Sequence, residues 1–284
     1  MEMITGKTII CGLIGNPVEH SISPAMQNAA FKALKLDYIY LPFRVSQQDL
    51  NAAVNGMRAL NIRGMNVTIP HKVEVMGLLD RIDGMASKIG AVNTIVNDEG
   101  ILTGYNTDAD GFMESLTENG VYPTGKKVLI LGAGGAARAV AFALLDKGAE
   151  VILMNRTLDK ARELADQLAS QFKRNIEIYA WNETNMEKTI PKVKLIVNTT
   201  SIGMSPKSQE TPLPSRFLKP ETLVYDIVYN PIQTRLLKEA GMNGAVTISG
   251  IDMLAWQGAL AFEKWTGQKA PLEIMKKEAY RHLA

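Results

Sequence analysis

The segment whose residue types point most directly to chemistry is a glycine-rich turn that runs from Gly132 to Ala137. It follows the apolar run Lys126–Leu131, which predicts a strand, and it opens an apolar helical pattern. Gly132 permits a tight turn, Gly134 lets the backbone approach a pyrophosphate, and the helix amino terminus offers unpaired N–H groups. A second strand at Glu150–Met154 completes a βαβ unit. We therefore predict a dinucleotide site, whereas the alternative is a turn that only packs closely. The predicted contacts are Gly132, Ala133, Gly134, Gly135 and Ala136.

The residues after that second strand discriminate between the two nicotinamide cofactors. A unit that binds NAD usually places an acidic residue there, which accepts a hydrogen bond from the ribose hydroxyl. This chain has Asn155, Arg156 and Thr157 instead. An acid would repel a 2′-phosphate, whereas Arg156 offers two parallel donors and its neighbours offer neutral ones. The sequence therefore favours NADP, although Arg156 taken alone is more typical of a solvated surface cation.

Four clusters of polar residues follow predicted strands, or lie within one, in the first part of the chain. They are His20–Pro24, Asn66–Lys72, Ala91–Thr94 and Gly104–Asp108. In open α/β sheets, ligands bind beyond the carboxyl ends of the strands. We therefore expect these clusters to converge on one cleft.

Short apolar runs alternate with longer helical patterns along the chain, which indicates an α/β fold. A chain of 284 residues is longer than one typical domain, so we expect two, joined near Pro123–Gly125. Ser23 is able to cap the first helix. The remaining predicted strands are Lys7–Ile14, Tyr38–Phe43, Gly64–Val67, Ala91–Val96, Gly100–Gly104, Lys194–Asn198, Leu223–Ile227 and Ala245–Ile248. Further helical patterns cover Pro24–Leu36, Ile251–Trp265 and Pro271–Leu283.

Composition and charge exclude several classes of function. Lysine and arginine number 31 against 29 acidic residues without a basic cluster, which argues against a nucleic-acid-binding face. The single cysteine, Cys11, lies in an apolar run and excludes an internal disulfide. The three histidines have no metal-ligand spacing, so we expect no metal. No apolar stretch approaches a membrane span, and residues 1–7 carry no signal-peptide pattern, so we expect a cytoplasmic protein.

Seven segments, taken in chain order, resemble the shikimate dehydrogenase family and together span most of the chain. They are Asn66–Lys72, Gly90–Thr94, Asn106–Asp108, Gly132–Ala136, Asn155–Thr157, Asp226–Pro231 and Gly250–Gln257. The resemblance implies a two-domain α/β fold with a cleft between the domains. Residues 1–120 with 250–284 would form a catalytic substrate-binding domain, and residues 121–249 a Rossmann-type NADP-binding domain. The family commonly has His-Asn where this chain has Gln27-Asn28, a position that we expect to face helix packing.

The resemblance also implies a reaction, the reversible reduction of 3-dehydroshikimate to shikimate by NADPH in the biosynthesis of aromatic amino acids. Hydride transfer to a ring ketone builds negative charge on its oxygen, so a positioned acid must protonate that oxygen. Lys72 and Asp108 are the candidates, both by resemblance and by chemistry. Either alone would more often be a surface charge or a structural ion pair. The sequence leaves open which of the two exchanges the proton.

Further roles follow from the resemblance and from the hydrogen-bonding groups of the residues. Ser21 and Ser23 are expected to bind the substrate carboxylate, with helix capping as the alternative role. Met204 is expected beside the nicotinamide, although core packing is the more common place for a methionine. The substrate hydroxyls are assigned to the polar side chains of Asn66, Thr68, Asn93, Tyr229 and Gln257. The cofactor contacts extend to Thr200, Ser201, Met204, Ile227 and Gly250.

Two alternative functions remain. A quinate/shikimate dehydrogenase of the same fold would tolerate an extra ring hydroxyl and use NAD, whereas Arg156 favours the narrower NADP enzyme. A redox-sensing protein that binds NADP without turnover would not need Lys72 and Asp108 together. The only partner that we expect is a small-molecule substrate, with neither nucleic acid nor membrane bound. The chain is predicted to be a monomer or a homodimer.

Overall fold

The computed structural model describes residues 4–283; residues 1–3 and 284, which were predicted to belong to the catalytic domain, lie outside the described residues. The chain divides into two compact units. The first consists of the residues up to Gly111 together with Ala255–His282, and the second is Phe112–Leu254. Each unit is built around its own six-stranded sheet. Within residues 4–283, no helix is long and apolar enough to cross a membrane.

The strands and helices are numbered here in chain order. The strands are β1 (Ile9–Gly15), β2 (Tyr38–Arg44), β3 (Gly64–Val67), β4 (Arg81–Ile82), β5 (Thr94–Asp98), β6 (Ile101–Tyr105), β7 (Lys127–Leu131), β8 (Glu150–Asn155), β9 (Glu177–Ala180), β10 (Leu195–Asn198), β11 (Leu223–Asp226) and β12 (Val246–Ser249). The helices are α1 (Ser23–Ala33), α2 (Leu50–Ala59), α3 (Gly84–Ile89), α4 (Asp108–Glu118), α5 (Gly135–Asp146), α6 (Leu158–Phe172), α7 (Glu183–Thr189), α8 (Arg235–Met242), α9 (Ile251–Thr266) and α10 (Leu272–Leu283).

The sheet of the first unit has the strand order β2-β1-β3-β5-β6-β4. Strand β1 runs parallel to β2 and β3, whereas β5 is antiparallel to both β3 and β6. Asn66 therefore lies opposite Thr94, and Thr94 lies opposite Tyr105. The carboxyl ends of β1, β3 and β6 and the amino end of β5 share one edge of the sheet. All four polar clusters of the sequence adjoin these strand ends.

The sheet of the second unit is fully parallel, with the order β12-β11-β10-β7-β8-β9. Counted from β7 as the first strand, this is the arrangement of the doubly wound dinucleotide-binding fold. The winding reverses between β7 and β10, and ligands of such sheets bind beyond the carboxyl ends of the strands at that point. Helix α5 begins directly after the glycine-rich turn. The predicted βαβ unit is thereby confirmed.

The first unit contains two stretches that are far apart in the sequence, the residues up to Gly111 and Ala255–His282. Trp265 of α9 connects them. The Trp265 indole packs against Gly64, where a side chain would collide with it. Its Nε1 donates a hydrogen bond to the Ile95 carbonyl oxygen at 3.0 Å. Because both partners lie on central strands, α9 is fixed against the middle of the first sheet. Cys11 is fully buried on β1, as its apolar context predicted.

The start of β5 and the cap of α1 differ from their predictions. Strand β5 begins at Thr94 and not at Ala91, because the Val92 backbone N–H bonds to the Lys72 carbonyl oxygen at 2.7 Å and so leaves the ladder. Helix α1 begins at Ser23, and Ile22 occupies the cap position without a side-chain hydrogen bond. The prediction that Ser23 caps this helix is therefore wrong.

The segment Pro123–Gly125, predicted as a linker, is an ordered turn within the second unit. Thr124 Oγ1 donates to the Lys147 carbonyl oxygen at 2.8 Å, and the Gly125 N–H bonds to the Gly148 carbonyl oxygen at 3.1 Å. These bonds tie the turn to the end of α5. The chain instead passes between the two units within α4 and again within α9.

Candidate active site

Lys72 and Asp108 form a largely buried ion pair in the first unit. Lys72 Nζ lies 2.6 Å from Asp108 Oδ2, and the two side chains retain 15% and 7% of their exposure. Charges that water reaches so poorly interact strongly, and loss of either partner leaves the other charge buried and unpaired. The lysine keeps the larger exposed fraction. A small molecule therefore reaches the lysine side chain more easily than that of the aspartate.

Asp108 is oriented from two directions. Its Oδ1 accepts a hydrogen bond from Asn93 Nδ2 at 2.9 Å. Asp108 is also the first residue of α4, where the helix dipole favours a negative charge. Asn106 stabilises this helix start, because its Oδ1 accepts from the backbone N–H groups of Asp108 and Ala109 at 3.0 and 3.3 Å. The end of β6 and the start of α4 together hold the carboxylate beside Lys72.

Asn93 is the centre of the polar network around the ion pair, and only 2% of it is exposed. Its amide nitrogen lies 2.9 Å from Thr107 Oγ1, 2.9 Å from Asp108 Oδ1 and 3.3 Å from Gln257 Oε1. Its amide oxygen accepts from the Thr107 backbone N–H at 2.7 Å. This network brings together Lys72, Asp108, Asn93 and Gln257, four of the residues predicted for the site.

The loop that carries Lys72 is fixed on both sides. The hydrogen bond from Val92 N–H to the Lys72 carbonyl oxygen holds its backbone at 2.7 Å. The preceding residue, His71, is fully buried, and its Nε2 lies 2.8 Å from the Val45 carbonyl oxygen. A carbonyl can only accept, so Nε2 carries the proton and donates it. His71 therefore supports the loop.

Asn66, at the same sheet edge, is buried and engaged on both sides of its amide. Its Oδ1 accepts from the Tyr40 hydroxyl at 2.8 Å, and its Nδ2 donates to Thr94 Oγ1 at 3.1 Å. It also donates to the Asn93 carbonyl oxygen at 3.2 Å. These bonds connect Asn66 to the backbone beneath the ion pair, so it contributes to the same cluster.

Ser21, Ser23 and Thr68 follow the ends of β1 and β3. Ser21 Oγ accepts from the Ser23 backbone N–H at 3.3 Å, and Ser23 is 7% exposed. The loops after the two strands are joined by a hydrogen bond from the Asn16 N–H to the Ile69 carbonyl oxygen at 2.9 Å. In the described part of the chain, no hydrogen bond joins the side chains of Ser21, Ser23 or Thr68 to the network around Asn93. Their placement at this sheet edge agrees with the prediction, and their roles stay predictions.

The glycine-rich turn lies at the carboxyl end of β7 in the second unit. Gly132 has φ +114°, which other residues rarely adopt, and a Cβ there would lie 2.7 Å from Thr199 Oγ1. Gly134 is exposed, and a Cβ there would have no neighbouring atom within 4 Å. No side chain caps α5, which leaves its first N–H groups for a ligand. The turn therefore has the open backbone and unpaired donors that an anion requires.

The residues after β8 lie beside this turn, because Leu131 at the end of β7 pairs with Met154. Asn155 Nδ2 donates to the Thr157 carbonyl oxygen at 2.7 Å, which fixes the backbone around the arginine. Arg156 is exposed, and it forms neither an ion pair nor a hydrogen bond within residues 4–283. Its guanidinium is therefore available to an anion bound at this edge.

The other predicted cofactor residues follow the carboxyl ends of β10, β11 and β12, at the same edge of the second sheet. Met204 retains 36% of its exposure, which excludes core packing as its role. Gly250 approaches the Ile227 carbonyl so closely that any side chain would collide with it. Tyr229 is half-buried in the second unit. The predicted residues from these loops are Thr200, Ser201, Met204, Ile227, Tyr229 and Gly250.

Asp226, which opens one of the seven segments of the resemblance but had no predicted role of its own, is fully buried at the end of β11. Burial raises the pKa of its carboxyl to about 6, although donors from Thr234, Val228 and Asn198 act in the opposite direction. The signal in the sequence was an acidic residue at the end of an otherwise apolar strand. No group of three or more histidine, cysteine or acidic residues in the described chain is placed to hold a metal ion.

The protein combines a doubly wound unit that has an open glycine-rich turn with an α/β unit that has a buried lysine–carboxylate pair. This combination is typical of dehydrogenases that bind a dinucleotide. The chain belongs to the shikimate dehydrogenase family. Residues 13–95 match the family model described as the shikimate dehydrogenase substrate binding domain, and residues 117–208 that of shikimate / quinate 5-dehydrogenase. Residues 250–280 match the shikimate 5′-dehydrogenase C-terminal domain.

Similar proteins cover nearly the whole chain. The shikimate dehydrogenase (NADP(+)) of Carboxydothermus hydrogenoformans is 50% identical over 275 residues, which cover 96% of this chain and 97% of that protein. The shikimate dehydrogenase (NADP(+)) of Dehalococcoides mccartyi is 48% identical over 277 residues, covering 98% and 97%. A crystal structure of shikimate dehydrogenase in complex with NADP+ has a TM-score of 0.93 at 43% identity, covering 99% of this chain and 98% of that one.

Proposed function

We propose that this chain catalyses the reversible NADPH-dependent reduction of 3-dehydroshikimate to shikimate, a reaction of aromatic amino acid biosynthesis. It is an NADP-dependent oxidoreductase that acts on a CH–OH group. The relatives whose names state this activity are about half identical to the chain and match it along nearly its full length. Because these matches cover both domains, they support assigning the whole reaction to this chain and not only the binding function of one domain.

The single observation that carries the proposal is the buried pair of Lys72 and Asp108. Bound NADPH supplies a hydride to the ketone carbon, and negative charge then develops on the ketone oxygen. Lys72 is the more exposed side chain of the pair, so its ammonium donates a proton to that oxygen. Asp108 keeps the ammonium oriented, and Asn93 keeps the carboxylate oriented. In the oxidative direction the lysine removes the same proton.

The substrate is placed at the polar edge of the first sheet. Ser21 and Ser23 bind its carboxylate there, and the side-chain amides and hydroxyls bind the ring hydroxyls. Asn93 and Gln257 already bond to one another at 3.3 Å, so their side chains are held in place before the substrate arrives. Such pre-arrangement lowers the entropic cost of aligning the reacting groups. The ring-hydroxyl contacts proposed in this unit are Asn66, Thr68, Asn93 and Gln257, and the contact from Tyr229 of the second unit stays a prediction from the sequence.

NADP is assigned to the second unit. The Gly132–Ala136 turn fits a pyrophosphate, because Gly134 is open and α5 begins with unpaired N–H groups. Arg156 fits the 2′-phosphate, because its guanidinium is exposed and available to an anion. The proposed domains are residues 1–120 with 250–284 for the substrate and 121–249 for NADP. A cytoplasmic location, and a monomer or homodimer, stay predictions from the sequence.

The assay that tests this proposal follows NADPH absorbance after addition of 3-dehydroshikimate to the purified full chain. We expect NADPH to be consumed in proportion to the shikimate that forms, with the product identified by chromatography. Binding of NADPH without consumption would instead support the redox-sensing protein. A matched reaction without the chain controls for chemical reduction.

A further inference from the structure

Asp226 carries a buried negative charge that the proposed chemistry does not use. It ends β11, it is fully buried, and its carboxylate accepts three hydrogen bonds. Oδ1 accepts from Asn198 Nδ2 at 2.9 Å and from the Val228 N–H at 3.1 Å. Oδ2 accepts from Thr234 Oγ1 at 2.7 Å. Taking a carboxylate out of water is costly, and the three donors offset that cost only in this arrangement.

The Asn198 bond extends from the carboxylate into the loop after β10. Asn198 is fully buried at the end of that strand. Its Oδ1 accepts from the Thr200 hydroxyl at 2.7 Å and from the Thr200 N–H at 3.1 Å. Its Nδ2 also lies 3.3 Å from the Ile202 carbonyl oxygen. The Asn198 side chain therefore sets the backbone that carries Thr200 and Ser201.

The remaining two bonds extend into the loop after β11. The bond from the Val228 N–H fixes the backbone between Ile227 and Tyr229. Thr234 caps α8, because its Oγ1 accepts from the Leu237 N–H at 3.3 Å. One carboxylate thus connects two neighbouring loops at the carboxyl edge of the second sheet.

The position of these loops in the doubly wound sheet indicates what they hold. Such sheets consist of two mononucleotide-binding halves. The half that starts at β7 carries the glycine-rich turn and Arg156, which fit the phosphates of the adenosine side. The half that starts at β10 is left for the nicotinamide side. Residues of both loops joined by Asp226 are among the proposed cofactor contacts.

We propose that Asp226 is a positioning residue, which joins the loops after β10 and β11 through Asn198 and Val228 so that they receive the nicotinamide half of the cofactor. The proposal rests on the assignment of NADP to this unit. Asp226 touches neither substrate nor cofactor, because its carboxylate is fully buried and its oxygens face protein donors. Its effect on binding is therefore confined to the geometry of the two loops.

Three variants test this role. Asp226→Leu keeps the approximate shape but removes every acceptor. Asp226→Asn keeps an acceptor oxygen for Asn198 and Val228, and it is the conservative rescue. Ser115→Ala is the matched control, because Ser115 is fully buried in the same unit, bonds to the Tyr225 hydroxyl at 2.8 Å and lies on neither of the two loops. Dissociation constants are measured for NADP and for adenosine 2′,5′-bisphosphate, which lacks the nicotinamide half. Melting temperature is measured alongside.

Asp226→Leu is expected to raise the NADP dissociation constant roughly tenfold, equivalent to about 1.4 kcal/mol, with the bisphosphate constant unchanged. Asp226→Asn and Ser115→Ala are expected to stay within about threefold of the unmodified chain for both ligands. If Asp226→Leu does not fold, Asn198→Ala is expected to weaken NADP in the same way and to leave the bisphosphate constant unchanged, because it removes the bridging amide. Equal weakening of both ligands, or lowered melting temperature with unchanged NADP affinity, would overturn the positioning role.

These binding measurements are independent of the reaction. If the unmodified chain binds NADP but does not reduce 3-dehydroshikimate, the proposed activity fails. The positioning role is then still tested by whether Asp226→Leu weakens NADP more than it weakens the bisphosphate. If the reaction proceeds and Asp226→Leu binds NADP normally, the positioning role fails alone.

Discussion

At the scale of single residues, the site depends on how the charge of Lys72 is held. Its ammonium is 2.6 Å from Asp108 Oδ2, and Asn93 holds the other carboxylate oxygen at 2.9 Å. A lysine on a long flexible side chain would otherwise sample many rotamers, at an entropic cost of up to about 2 kcal/mol on ordering. The ion pair selects one position in advance. Lys72 and Asp108 should therefore act as a unit.

The first prediction concerns this pair. Lys72→Ala is expected to lower kcat for shikimate oxidation by roughly two or more orders of magnitude, as loss of a positioned acid–base group does. Asp108→Asn is expected to give a similar loss of kcat. The double variant is expected to lose far less activation free energy than the sum of the two single losses. Steady-state kinetics at saturating substrates measure all three. The NADP dissociation constant should stay unchanged, since the proposed cofactor site lies in the other unit.

Lys7→Ala is the matched control, because Lys7 is exposed in the same unit and forms no ion pair in the described chain. It should leave kcat as it is. A Lys72→Ala variant with near-native kcat would show that proton transfer takes place elsewhere.

A second residue-level prediction concerns Arg156. Loss of a charge-assisted hydrogen bond to the 2′-phosphate costs about 1.5–3 kcal/mol, so Arg156→Ala should weaken NADP roughly 10- to 150-fold. NAD has no such phosphate, and its affinity should stay the same or rise slightly. Dissociation constants for both cofactors measure the effect. Arg174→Ala serves as control, because Arg174 is exposed before β9, at the opposite end of the strands.

A parallel fall in the affinities for NADP and NAD would mean that Arg156 supports the fold and does not bind the phosphate. Adding Asn155→Asp should shift the preference further toward NAD. The new carboxylate would accept from the ribose hydroxyl and repel the phosphate.

At the scale of elements, two glycines of the glycine-rich turn are expected to have different roles. One is needed for the stability of the fold and the other for the binding of NADP. Gly132→Ala forces a side chain into φ +114° and within 2.7 Å of Thr199 Oγ1, so it should destabilise the unit by about 1–3 kcal/mol. Gly134→Ala meets no atom within 4 Å, so the free energy of unfolding should change by less than about 0.5 kcal/mol. Its methyl group would instead occupy the approach of the pyrophosphate and weaken NADP roughly tenfold or more.

Urea unfolding and NADP titration of the two variants measure this contrast directly. Unchanged NADP affinity in a stable Gly134→Ala variant would place the pyrophosphate away from the turn.

The elements that the sequence could predict are those whose local pattern agrees with their tertiary role. The strand β7, the turn after it and the helix α5 were recognised from the sequence. An apolar run, a cluster of glycines and a helical spacing of apolar residues follow one another there. Strand β9 (Glu177–Ala180) and the two-residue β4 were not, since both are short and partly exposed and carry little apolar pattern. The start of β5 was misplaced because the tertiary bond from Val92 to Lys72 removes its first residues from the ladder.

At the scale of the whole molecule, Asp226 gives the folded chain a pH dependence. Burial raises its pKa from 3.8 to about 6, so the folded state retains a proton that the unfolded state has lost between about pH 4 and 6. The stability from this group is present below pH 4 and is lost as the pH rises through 6. A shift of this size corresponds to about 3 kcal/mol.

The difference in unfolding free energy between the unmodified chain and Asp226→Asn isolates this contribution. We expect the difference to fall by up to about 3 kcal/mol from pH 4 to pH 7, as other groups titrate alike in both proteins. Urea unfolding at a series of pH values measures it. A difference that stays constant across this range would show that the carboxyl keeps its ordinary pKa.

Several residues of the polar network around Asn93 could be predicted from the sequence, but the bonds between them could not. The motifs gave Lys72, Asp108 and Asn93 because their spacing repeats that of a known family. That Asn93 bonds to Asp108 and also reaches Gln257, which is 164 positions away in the sequence, depends on the packing of α9 against the first sheet. Asp226 was given no role for the same reason, since Asn198, one of its three donors, becomes its neighbour only when β10 and β11 pair.

The measurement that tests the proposed activity most directly compares kcat/KM for four pairs of substrates: shikimate or quinate, each with NADP or NAD. The proposed activity predicts that shikimate is the better substrate, and the exposed Arg156 beside the glycine-rich turn predicts that NADP is the better cofactor. It also predicts that replacing NADP by NAD costs roughly 10- to 150-fold, the value of one charge-assisted phosphate contact. Equal or higher kcat/KM for quinate with NAD would contradict this activity and identify the chain as a quinate/shikimate dehydrogenase of broader use.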